Sequence, residues 1–379
     1  MGFKITKVTK PFLSRKFGRR PKLSSIVIAV SFLALSSCGE QGGLQQKASL
    51  NPSNQSDGRI TITNDENDLS RLIKYLDEEI VIEKAAGGAG LKVKEMTSGP
   101  PNFSLRLVAE VYSPTVEGQK LQATSVSIKN NKAVVSYGMR GDKYLGGIQL
   151  FDITDIKRPE LNSQVIFNDT DVNAVTVSGG KVYGVGASGR EEFSDPAIME
   201  VIKIVDNKMV LEDNKRLGLA SYAGTCVISG DGSRVFATSG SAGGLSAVDK
   251  ETFTVQSYNA LDDARWADVY NDRVAVVQGG TDFGHLSIFD STNGSLSLLR
   301  TFTFNGATDA EAKTTVEVVG HKAFIAAGSG GVQILSVNSG DVIGTVPNSG
   351  AAVANAVTVD DDLLFISGGA GVYVAQLAE

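Results

Sequence analysis

Six spaced copies of one short-strand pattern predict an all-β fold, a six-bladed β-propeller closed by an N-terminal strand. The copies start at Val126, Val175, Cys226, Ala267, Val316 and Val357, at spacings of 49, 51, 41, 49 and 41 residues, which are blade lengths of four strands each. In each copy a first alternating strand leads through a tight polar turn to a second. Val126-Ser127-Ile128 goes to Ala133-Val134-Val135, for example, and Val357-Thr358-Val359 to Leu364-Phe365-Ile366. A Gly-rich stretch and a third strand follow, as in Gly146-Gly147-Ile148-Gln149-Leu150-Phe151-Asp152 and Gly243-Gly244-Leu245-Ser246-Ala247-Val248-Asp249. The glycines are expected to supply positive φ in that connection.

Ahead of the array, residues 1–37 read as a leader. They hold eight basic residues and no acidic one, followed by an apolar run from Ile26 to Leu35. That run is too short to span a bilayer, which takes roughly twenty residues, so the segment reads as a secretory signal peptide. Leu35-Ser36-Ser37-Cys38 resembles a bacterial lipobox, which makes Cys38 the acylated first residue of an exported lipoprotein. No Asp follows Cys38, a pattern that sorts such proteins to the outer membrane in a cell that has one. The expected location is therefore the cell envelope, anchored by lipid and not spanning the membrane.

Residues 38–59 are rich in Gly, Gln, Ser and Asn and read as a flexible tether. In residues 60–100 a short helical segment is expected. Asn67 or Asp68 would cap it, and Leu69, Leu72, Ile73, Leu76 and Ile80 fall at helical spacing. The propeller is assigned to 101–379. The last copy stops after its third strand, and one extra strand, Ser104 to Tyr112, stands upstream; it is expected to complete the sixth blade and close the ring.

The best single repeat runs from Gly147 to Pro159, with Phe151-Asp152-Ile153-Thr154-Asp155 before the proline. On these residues the chain resembles the LVIVD-repeat family of bacterial propeller proteins, over roughly residues 120–379. The resemblance implies the architecture and does not specify a function. The second copy departs from it, with Val201-Ile202-Lys203-Ile204-Val205-Asp206 after a long insertion and no Gly pair.

Charge excludes one class of partner. Without the leader's eight basic residues the chain keeps 28 against 42 acidic ones, a net charge of −14. Phosphate backbones are bound mainly by Lys and Arg, so nucleic acid is not an expected partner. Cys226 is the one cysteine besides Cys38, so packing, not an internal disulfide, must stabilise the mature chain.

The residues entering each first strand are Thr124, Asn173, Gly224, Arg265, Thr314 and Asn355, a polar ring expected at the mouth of a central channel. A wet channel is normally polar, so this ring has a structural explanation as well. Arg265-Trp266 places the chain's one Trp beside a cation, a pairing common in binding hot spots, although Trp266 is also in phase with blade-packing positions. Acids gather in the same loops at Asp169, Asp171, Asp262, Asp263, Asp309 and Glu311. Two insertions, Arg140 to Leu145 and Arg190 to Ala197, are expected to project beside them. Solvated loop acids account for most of this; a basic partner or a hard cation such as Ca²⁺ is the sharper reading, without the spacing of a calcium loop.

Catalytic signals are thin. His285 and His321 are expected on opposite faces, no Gly-x-Ser-x-Gly elbow is present, and the single Trp speaks against quinone-cofactor propellers. No cofactor is expected. The reading favoured by these observations is a non-catalytic scaffold that binds a protein or glycan partner. The alternatives are a hydrolase- or lactonase-like propeller using acids at the channel mouth, and a structural or adhesive surface lipoprotein.

Overall fold

Six antiparallel meander sheets follow one another along the chain in the computed structural model. It describes residues 54–377 apart from 81–104 and short stretches at 140, 142, 231, 293, 310–312, 349–352, 361–362 and 369–370. The leader, Cys38 and most of the tether lie outside the described residues.

Each sheet is built in chain order from its first strand outward. Sheet one starts with Gln122–Lys129, Lys132–Gly138, Gly146–Asp152 and Glu160–Phe167. The first strands of the others are Thr170–Ser178, Cys226–Ser229, Ala264–Tyr270, Val316–Val319 and Ala354–Asp360. Sheets two to five have four strands; sheet six has three among the described residues.

The period-two alternation of these strands gives every sheet two apolar faces, and neighbouring sheets pack face to face. Val134, Ile148 and Leu150 of sheet one meet Val172, Val175 and Val182 of sheet two. Tyr183 and Val185, from the other face of sheet two, meet Val235 and Ala237 of sheet three. The same exchange joins Phe236 to Val274 and Val276, and Ala275 and Val277 to Ala323 and Ile325. Phe324 and Ala326 close the series on Leu364 and Ile366 of sheet six.

The N-terminal region differs from the sequence expectation. Its helix is a single turn, Glu66–Ser70, capped by Asp65, whose carboxylate accepts from the Asn67 and Asp68 amides. Ile73–Ile80 is a strand, hydrogen-bonded to Leu105–Val111. A lone helix of this length is marginal in water, and β-branched Ile73 and aromatic Tyr75 suit a strand with a partner at hand. The strand expected to complete the last sheet therefore belongs to this hairpin.

The tether boundary shifts too. Asn54–Ser56 and Ile60–Thr63 are strands, and the second adds to the outer edge of sheet one by pairing with residues 164–167. Ile60 and Ile62 are wholly buried in the core between sheets one and two.

The other face of sheet one, formed by Ala133, Val135, Tyr137 and Phe151, is the face that in sheets two to six meets a preceding sheet. Here Leu69, Leu72, Val111, Val116 and Leu121 cover it. The N-terminal segment thus takes the place of a preceding sheet. At the inner end of this face Val126 and Ile128 stay 45% and 48% exposed, whereas their counterparts Val175 and Val177 are 2% and 6% exposed.

The Gly-rich stretches serve close approach more than positive φ. A Cβ on Gly146 would stand 2.4 Å from the Thr170 carbonyl oxygen, and one on Gly244 would stand 2.0 Å from that of Asn259. Of the pairs that open third strands, Gly331 is the member with positive φ, at 73°.

Candidate binding site at the inner-strand mouth

The residues expected to ring the channel lie where each first strand begins, and in four sheets that point is a β-bulge. Register shifts fall between Ala123 and Ser125, Val172 and Ala174, Ala264 and Trp266, and Ala354 and Ala356. The extra residues are thus Thr124, Asn173, Arg265 and Asn355. A bulge leaves one residue outside the ladder and re-aims its side chain.

Most of these side chains bond to the next sheet. Thr124 Oγ1 donates to the Val172 carbonyl at 2.6 Å, and Asn173 Nδ2 donates to that of Gly224 at 2.9 Å. Thr225 Oγ1 donates to the Ala264 carbonyl at 2.8 Å, and Arg265 Nη1 to Thr314 Oγ1 at 3.1 Å. Thr315 Oγ1 accepts from the Val357 amide at 3.0 Å. The polar ring is a stitched seam joining six sheets. Asn355 is half-buried and Thr314 fully buried.

Arg265 is held rather than presented. It is 9% exposed; Nε and Nη2 donate to Asp263 Oδ2 at 2.9 and 2.6 Å, and Nη1 donates to the Asp309 carbonyl at 2.8 Å. Trp266, half-buried, packs against the core between sheets four and five and also against that between sheets two and three.

The residue that sequence reasoning passed over is Lys313. Its Nζ stands 4.5 Å from the centroid of the Trp266 ring and donates to the Thr124 carbonyl at 2.8 Å. That bond runs from the start of sheet five to the start of sheet one, so the mouths of non-adjacent sheets converge. Burial pushes the Lys313 ammonium down to about 8. The available signal was its place in Lys313-Thr314-Thr315, one position before the expected ring residue.

Deeper along the inner strands are two acids that were also missed. Asp268 and Glu317 accept from the amides of Val318 and Val359, in each case on the next sheet, at 2.7 and 2.9 Å. Burial raises their carboxyls to about 6 and about 7. Cys226 is a buried free thiol, raised to about 12 by burial.

The loop acids have local tasks. Asp171 Oδ1 accepts from the Met139 and Leu145 amides, at 3.1 and 3.2 Å. Asp169 pairs with Arg216 at 3.0 Å and Arg190 at 2.7 Å. Asp262 Oδ1 accepts from the Ala242 amide at 3.5 Å. Among the described residues no group of three or more His, Cys, Asp or Glu is placed to hold a metal ion; Arg140, Asp142 and Glu311 lie outside them. His285 begins a third strand and His321 sits in the turn before Lys322–Ala326.

This arrangement of radially packed meander sheets is that of a β-propeller. The chain is similar to the β-propeller domain of Myceliophteria thermophila Cps50 (Swd1), with a TM-score of 0.52 at 12% identity. The match covers 71% of this chain and 88% of that one, and at this identity it defines the fold alone. No protein-family model and no curated protein sequence matches the chain.

Proposed function

We propose that this chain is an exported, lipid-anchored propeller that acts as a non-catalytic binding scaffold on the cell envelope, holding a protein or glycan partner at the inner-strand mouth. The six sheets would form the blades of a ring completed by the N-terminal segment, whose Leu69, Leu72, Val111, Val116 and Leu121 already cover the face of sheet one that a preceding sheet would meet. Cys38 would carry the anchor, consistent with the lipobox-like residues before it and the basic, then apolar, leader.

The observation that carries the binding reading is the Trp266–Lys313 pair. A cation on an aromatic face, within a mouth made rigid by inter-sheet hydrogen bonds, is a pre-organised contact that loses little freedom when a partner docks. The partly buried acids of the wall, by contrast, are engaged with backbone amides of the next strand, which supports a structural task for them and not the acid chemistry of a hydrolase.

Affinity capture from envelope extract tests this. The full-length chain in detergent is expected to retain a specific protein or glycan, and a Trp266→Leu variant of verified fold is expected to lose it. Equal capture by the two would remove the mouth as the site. In the same cells Cys38→Ser is expected to move the protein from the membrane fraction to the soluble one; an unchanged distribution would overturn the anchor.

A further inference from the structure

The remaining question about this mouth is what chemistry Lys313 is set to meet. Three buried or half-buried cations of the molecule face carboxylates. Arg59 and Arg216 meet Glu200 at 2.7 and 2.6 Å, and Arg265 meets Asp263 at 2.6 Å. Lys313 is not among them: among the described residues no carboxylate lies within ion-pair distance of its Nζ, and its partners there are a neutral carbonyl and an aromatic face.

Both of those partners satisfy an ammonium only in part. The Thr124 carbonyl takes one of three N–H donors, and the face of Trp266 offers a quadrupole in place of a counter-charge. A charge removed from bulk water without a partner is costly, and the cost is relieved when an anion supplies the missing hydrogen bonds.

Resting on the scaffold reading above, we infer that the inner-strand mouth is a receptor for an oxyanion, a carboxylate or phosphate group of the bound partner, with Lys313 as its counter-ion. Thr124, Asn173, Thr225 and Thr314 are already bonded across the sheet seams, which leaves the lysine as the charged donor.

Trp266 is the one tryptophan of the chain and lies under the Lys313 ammonium, so its emission reports this site directly. The full-length chain in detergent would be titrated at pH 7 with acetate, with inorganic phosphate and with chloride, at constant ionic strength. A saturable change in Trp266 emission is expected with acetate or phosphate and not with chloride. Whichever of the two saturates at lower concentration identifies the partner's group as carboxylate or phosphate. Lys313→Met is expected to weaken that binding at least tenfold, while Lys313→Arg keeps it within a few fold and shows that charge, not shape, is required.

No saturable change with any anion, or the same curve from Lys313→Met with an unchanged circular dichroism spectrum, would overturn the inference. If the titration is flat but capture still depends on Trp266, the oxyanion falls and the scaffold stands. If the titration succeeds while no partner is captured, the anion site stands and the scaffold reading falls.

Discussion

Glu200 has no exposed surface and faces two guanidinia, Arg59 Nη1 at 2.7 Å and Arg216 Nε at 2.6 Å. Burial raises its carboxyl, and the two cations oppose that without reversing it. Removing one member of such a cluster leaves charge in a dry site. Glu200→Ala is therefore expected to cost about 3–5 kcal/mol, read as a lower urea midpoint with little change in slope. A loss within about 0.5 kcal/mol would mean that water already reaches the cluster. Asp268 and Glu317 act in the opposite sense. Their folded pKa values, about 6 and about 7, lie above the ordinary 3.8 and 4.5. The stabilisation from their protonated forms is complete below the ordinary values and is lost as pH rises through the folded ones. Between pH 5 and 8 the Asp268→Asn/Glu317→Gln variant is thus expected to gain on the order of 4 kcal/mol relative to the parent, measured by thermal melts across that range. Parallel melting curves for the two proteins would contradict it.

At the scale of elements, glycine placement decides how closely strands approach. Gly244 faces the Asn259 carbonyl where a Cβ would stand 2.0 Å from the oxygen, a backbone atom that cannot swing aside. Gly244→Ala is expected to lower stability by about 1–3 kcal/mol, as overpacking does, although alanine's chain entropy alone would favour it. A calorimetric Tm equal to the parent's would count against the contact. The alternation of the first two strands in each unit was legible in the sequence because period-two burial depends on local order alone, and the third strands were legible for the same reason. The helical reading of 69–80 failed because Leu69, Leu72, Ile73, Leu76 and Ile80 fit a helix equally well, and the deciding partner, Leu105–Val111, lies beyond any local window. The ring residues were legible as positions; that four of them are bulges was not, since a bulge leaves no fixed signature in one sequence. Lys313 escaped for a related reason: its acceptor Thr124 is 189 residues away.

On the scale of the whole molecule, the described residues from Asn54 to Leu121 are part of the fold and not only a lead to it. Ile60 and Ile62 fill the core between sheets one and two, Arg59 reaches the buried Glu200, and Leu69, Leu72 and Val111 cover the opposite face of sheet one. A tether leaving from Asn54 would then pull on a strand knit into the outer edge of sheet one, while the mouth of the inner strands lies at the ends where Thr124, Asn173 and Arg265 begin their sheets. On the proposed reading, anchoring and binding would fall to different parts of the molecule. The central claim is that a partner docks at that mouth. Its most direct test is photo-crosslinking in intact cells, with the reactive side chain at Asn355, half-buried at the mouth, or at Leu298, 53% exposed on an outer strand. A discrete adduct from position 355, absent from 298 and from a Lys313→Met background, is the expected result; an adduct from 298 alone would contradict the account.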